Sequence, residues 1–369
     1  MRTYYILTFF ILLLCAQPLS VRADDVHLIP EDKGKAVFFI YHHIGEDQYS
    51  ESNLQVEKFK EHVLELQDSA YHVMPAPKII AALEKGQTLP HHTIGLSFEG
   101  AYRSTFENAV PLLLEAKLPF TIFVAPERID RQADYYMTWK ELKTLSKNKY
   151  VTIGALPYAY EHLVMLDENA QKQQISRSLD RFREELPNVP VLFSWPYGEY
   201  IPPLKKLLPE YGFLAAFAQH SGVVSYGADM MALPRFSMTD QYGGLDRFRL
   251  AAHSFPFPVS EEAPASMIRT KDDTKLTISF QLPDSLKQNT PSCFVSGLGK
   301  VDTKKTDAEN ANTYSIHLTQ LLFEERLRMN CTLPLLSAEE AKQSEQKWRW
   351  YGRLFTQEQD QTSETPDTE

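Results

Sequence analysis

The chain has 369 residues, 43% of them hydrophobic, and a formal net charge of -10. That is the composition of a globular protein too long for one hydrophobic core, so a main domain and a smaller one are expected. Half of the excess charge lies after Phe355, where TQEQDQTSETPDTE carries five acids and no base. The rest is only mildly acidic, which argues against nucleic acid or an anionic membrane as partner and is compatible with a neutral or amino-bearing glycan.

At the N-terminus, Arg2 precedes an apolar run from Tyr4 to Cys15 that is too short to span a bilayer and reads as a signal peptide. Val21-Arg22-Ala23 supplies a small-x-small cleavage site, predicting a product that starts near Asp24 with no membrane span after cleavage. Leu14, ahead of Cys15, argues against a lipid anchor. The expected location is therefore periplasmic or extracellular. In such a compartment the remaining pair, Cys293 and Cys331, reads as a structural disulfide contributing about 4 kcal/mol.

From Lys35 to about Phe255, apolar runs alternate with amphipathic ones, the pattern of parallel strands joined by helices. Strands are expected at 36–44, 93–98, 120–125, 151–156, 191–195, 213–218 and 232–236. Ile175, Leu179, Phe182 and Leu186 mark a helical stripe, and Ser104-x-x-Glu107 has the form of a capping box. The proline-rich stretch 256–266 reads as a linker. Beyond it, Leu276-Ile278-Phe280, Tyr314-Ile316-Leu318 and Leu327-Met329-Cys331 alternate as strands without helices between them, predicting a small antiparallel β-sandwich that ends in a strand at 347–355. The expected organisation is a signal peptide at 1–23, a barrel at 24–255, the linker, a sandwich at 267–355 and an acidic tail at 356–369.

The run IGLSFEGAYRSTFENAVPLLLEAKLPFTIFV, residues 94–124, resembles the signature segment of polysaccharide deacetylases, the NodB-homology carbohydrate esterases of family four. The resemblance implies an α/β fold with a NodB-type distorted (β/α) barrel. In that family an Asp-Asp pair supplies the general base and a metal ligand; the matching positions here are Glu99 and Gly100. The family's two metal-binding histidines map within IGALPYAYEHL onto Leu156 and Tyr160. FSWPYGEY, residues 193–200, resembles the motif whose backbone N–H after Pro196, that of Tyr197, helps to stabilise the oxyanion. For the final histidine motif, His220 and His253 both remain open.

With all three ligand positions substituted, no cofactor is expected, and a divalent metal only if the site is rebuilt. The first functional reading is a binding protein for an acetylated polysaccharide or oligosaccharide of the envelope or extracellular matrix. Tyr102, Trp195, Pro196, Tyr197, His42 and His220 would then be contact residues. The second is an active carbohydrate deacetylase with a rebuilt site, in which Glu99 acts as base and His42 and His220 hold or replace a metal. The third is a structural partner of an active paralogue or synthase complex, marked by a large apolar patch.

Overall fold

The structure, a computed structural model, describes residues 32, 34–270, 272–286, 289–306, 312–319, 326–335 and 347–358. The signal peptide expected at 1–23 and the acidic tail beyond 358 lie outside the described residues. No described helix is long and apolar enough to cross a membrane.

Among the described residues the first sheet has nine strands, and six parallel ones form its body in sequential order: β1 (Lys35–Tyr41), β2 (Thr93–Glu99), β3 (Phe120–Val124), β4 (Val151–Ala155), β5 (Leu192–Ser194) and β6 (Ala215–Phe217). β1, β2 and β3 are buried along their whole length, as expected of parallel strands covered on both faces. The sheet is curled, and the segment after β6 runs between its two ends. Leu233 bridges Phe217 of β6, and three residues later Phe236 pairs in parallel with Phe39 of β1. Arg235 therefore sits on the seam of the barrel.

The amphipathic stripe around Ile175 is an 18-residue helix, Glu168–Glu185, whose buried face carries Ile175, Leu179 and Phe182. The Ser104 capping box is not formed. Ser104 has helical torsions, and its hydroxyl accepts the Ile44 N–H instead. The chain continues as a π-helical turn, Thr105–Ala109, from which Thr105 donates to the His42 carbonyl and Asn108 to that of Ile44. The capping pattern fails because a tertiary donor claims the serine first.

The C-terminal strands form a second core. Ile278, Phe280, Tyr314 and Ile316 from one sheet face Val295, Leu327, Met329, Leu333 and Phe355 from the other. Cys293 and Cys331 lie directly opposite on antiparallel strands and are joined as a disulfide. The linker expected at 256–266 is a correction: Phe255–Pro256 and Ser260–Ala263 are strands, paired with Trp348–Gln357 and Leu276–Gln281 respectively. Proline is tolerated there because both strands lie at sheet edges.

The two cores are tied together by buried contacts. Arg349, on the last strand, makes a bidentate ion pair with Asp32, ahead of β1, at 2.7 and 2.8 Å. Gly222 of the barrel forms a β-bridge with Tyr351 of the sandwich. For the disulfide, joint replacement of Cys293 and Cys331 by serine should lower the unfolding free energy by up to about 4 kcal/mol, measured by urea titration under non-reducing conditions.

Candidate active site

Glu99 ends β2 at the C-terminal mouth of the sheet, where parallel barrels place their functional groups. Its carboxylate is wholly buried and takes hydrogen bonds on both oxygens. Tyr160 Oη and Gln219 Nε2 donate to Oε1 at 3.0 and 2.9 Å. Arg235 Nη2 donates to Oε2 at 2.6 Å, and Ser194 Oγ donates to the same oxygen. Arg235 is equally buried and also bonds the Ser194 hydroxyl and the Ala218 carbonyl. Burial alone would raise the Glu99 pKa, but the Arg235 charge, the nearby His42 and the Ser194 and Arg235 hydrogen bonds outweigh it and hold the acid below its ordinary value.

Gly100 follows with φ +110° and Ala101 with φ +54°, so the chain turns sharply at the position that resemblance aligns with a metal-binding aspartate. A Cβ on Gly100 would lie 2.3 Å from the Tyr102 ring. Leu156 is fully buried, packed in a cluster that contains Phe123 and Phe217. Of the three positions that resemblance aligns with metal ligands, Tyr160 alone reaches Glu99. Burial, then the Glu99 charge, raises its phenol far above the ordinary tyrosine value, so it stays protonated and donates to Glu99.

The same hydroxyl accepts the Tyr197 backbone N–H at 3.3 Å. Tyr197 has φ +57°, an uncommon conformation for a side-chain-bearing residue. Three contacts hold it: the His162 ring stacks on its ring at 4.1 Å, the Tyr160 ring packs edge-on at 4.8 Å, and Arg326 of the sandwich donates to its carbonyl. His162 is fixed in turn by Glu199 at 2.7 Å.

The remaining sequence expectations divide. Of the adjacent histidines after β1, His42 is the one near Glu99; its pKa is lowered to about 4 by burial, and Nδ1 has no partner among the described residues. His43 pairs with Glu46 and stacks between Tyr49 and Tyr102. Trp195 and Pro196, expected as sugar-contacting surface, are corrections: both are buried, and the Trp195 indole donates to the Met231 carbonyl. Alternation along β5 points Ser194 at Glu99 and sends Trp195 to the opposite face. His220 turns away from Glu99 toward Tyr200, and His253 hydrogen-bonds Tyr71 beyond the helical layer. Arg235, Ser194, Gln219 and Arg326 were not anticipated. The available signal was a lone arginine in the apolar run ALPRF.

A model of the polysaccharide deacetylase family matches residues 86–216, which contain Glu99, Leu156, Tyr160 and Tyr197. This part of the chain is a polysaccharide deacetylase domain. The chain is 21% identical over 218 residues to YxkH of Bacillus subtilis (strain 168), whose name places it in the same family; the match covers 58% of this chain and 75% of that protein. It is 20% identical over 227 residues to the poly-β-1,6-N-acetyl-D-glucosamine N-deacetylase of Escherichia coli (strain K12), covering 50% of this chain but only 33% of the relative. Among solved structures, the fold resembles the Streptococcus pyogenes deacetylase PplD in complex with acetate, with a TM-score of 0.55 and 14% identity over 59% of this chain and 98% of that one. It also resembles IcaB from Ammonifex degensii, with a TM-score of 0.52 and 19% identity over 59% and 97%.

Deacetylases of this family are typically metal-dependent, and the residues present do not fit a metal. Glycine and buried leucine offer no donor, and a neutral phenol already bonded to Glu99 is a poor one. No group of three His, Cys, Asp or Glu side chains among the described residues could hold an ion. His42 and His220, the pair considered for a rebuilt centre, face different spaces.

Two outcomes follow from this geometry. Glu99→Gln should cost about 3 kcal/mol at pH 7, because Arg235 loses its buried counter-charge. A carboxyl held below its ordinary value stabilises fully above the unfolded pKa of about 4.3, and that stability is lost as pH falls through the folded value. Urea titrations at neutral pH and below pH 4 should therefore show a smaller acid loss in the variant than in the parent. Gly100→Asp should lower the midpoint of thermal unfolding, since the new Cβ meets the Tyr102 ring at a backbone angle suited to glycine.

Proposed function

We propose that the protein is an exported glycan-binding relative of the deacetylases that does not carry out their metal-dependent N-deacetylation. The observation that carries this reading is the Tyr160 hydroxyl. It bonds both the carboxylate at the base position and the backbone N–H at the oxyanion position. A general base needs a free lone pair and a pKa near the working pH. Glu99 has four donors on it and a lowered pKa, so it is poorly suited to take a proton from water. An oxyanion donor must be aimed at an empty position, and here the phenol fills it.

The choice of glycan is supported by the relatives. One is named for poly-β-1,6-N-acetyl-D-glucosamine, which makes an acetylated amino-sugar polymer the first ligand to test. Export is supported by the apolar leader and small-x-small site at the N-terminus.

The test is elemental analysis of the purified mature protein, run beside an acetate-release assay on N-acetylglucosamine oligomers with added zinc or cobalt. Neither stoichiometric metal nor released acetate is expected. Metal at one equivalent together with acetate release would overturn the reading and establish an active deacetylase with a rebuilt site.

A further inference from the structure

We infer that the cleft between the barrel and the sandwich is a binding site for a short uncharged oligosaccharide, separate from the filled position at Glu99. This rests on the reading above that the protein binds a glycan, and assigns that binding to a place. The cleft encloses about 740 Å³, within the range of about 300–1,000 Å³ usual for small-ligand sites.

Its walls have the chemistry that a sugar needs. Tyr200 and Tyr226 from the barrel and Trp350 from the last strand line it, while the neighbouring Tyr351 packs its ring into the sandwich core and turns its hydroxyl to Glu262. Tyr226 is 60% exposed, an aromatic face held out to solvent at the cleft rim. Flat aromatic faces receive the C–H faces of pyranose rings, and tyrosine adds a polar edge. Between them stands His220, whose ring makes no hydrogen bond to any described residue. Burial, then the Arg353 and Arg235 charges, lowers its pKa to about 4, so at neutral pH it presents one donor and one acceptor, the pattern that matches a hydroxyl.

The charges in the cleft select against ionic ligands. Lys205 pairs with Asp229, and Arg353 lies 3.5 Å from Glu262. Each positive group is cancelled by a neighbour, leaving no net field to attract an anion or a cation. Their remaining N–H groups and lone pairs can still bond hydroxyl and acetamide groups.

The cleft is also preformed. Gly222 bridges Tyr351 between the two walls, and a Cβ on Gly352 would stand 2.3 Å from the Ser221 carbonyl oxygen, so only glycine permits this backbone contact. A site whose walls are fixed before binding loses less entropy on complex formation. At Glu99, by contrast, both carboxylate oxygens are already bonded, and a ligand would have to displace those donors.

The experiment is calorimetric titration of the full mature chain with a β-1,6-linked N-acetylglucosamine hexamer. Tyr226→Ala, at an exposed position, and His220→Ala, which removes no internal hydrogen bond, should each weaken binding by about tenfold or more. The fully deacetylated hexamer, a polycation, should bind no more tightly than the acetylated one; tighter binding would overturn the assignment to an uncharged ligand. Binding that survives both cleft substitutions but is lost in Tyr160→Phe would place the ligand at Glu99, overturning the inference while the proposed function stands. Absence of binding by the parent protein would overturn both.

Discussion

The ion pair between Glu99 and Arg235 is the constraint around which the barrel mouth is built. Both side chains are wholly buried, and an isolated charge in that position costs several kcal/mol. The cost is met only if every lone pair and N–H finds a partner. Those partners come from separate elements: Ser194 from β5, Gln219 from just past β6, Tyr160 from the loop after β4 and Arg235 from the seam. One carboxylate therefore fixes the relative placement of four chain segments, and moving any of them leaves a buried charge exposed to a less favourable environment.

The same logic extends into the sandwich. Arg326 reaches the Tyr197 carbonyl and lies 3.7 Å from the buried Glu199, so the loop at the oxyanion position is held partly from outside the barrel. Arg349 anchors the last strand to Asp32 beside the first. With charges buried across the boundary, the two cores cannot slide past one another cheaply. The proline-rich stretch 256–266 adds to this by supplying edge strands to both sheets of the sandwich.

Much of the frame could be read in the sequence because it depends on local pattern. Unbroken apolar runs marked β1, β2 and β3, and strict alternation marked the sandwich strands. Resemblance singled out Glu99, Gly100, Leu156, Tyr160 and Tyr197, which lie at or just past the ends of β2, β4 and β5. What could not be read were the partners, since Glu99 contacts Ser194, Gln219 and Arg235 at sequence separations of 95, 120 and 136. No period in the sequence encodes such a meeting. The reading of Trp195 as surface failed for a different reason. An aromatic beside a functional motif looks the same whether it lines a groove or fills a core, and strand alternation from Ser194 decides between them only once Ser194 is known to face inward.

The three positions that resemblance aligns with metal ligands are each tied into their surroundings. At Gly100 the space beside the backbone is taken by the Tyr102 ring, at position 156 the side chain has joined the apolar cluster, and at position 160 a phenol bridges the two groups that catalysis would need free. A side chain at position 100 would meet the Tyr102 ring whatever stood at 156 and 160. The changes support one another: the phenol satisfies Glu99 without an ion, and the sharp turn through Gly100 and Ala101 is coupled to where Tyr102 lies. The Glu99 carboxylate and the Tyr197 N–H are thus both taken by the phenol, and a ligand could reach either only by displacing it. Open space lies instead at the junction with the sandwich, where His220 and the exposed Tyr226 line a cleft, and that is where a ligand could be received without displacing the donors on Glu99.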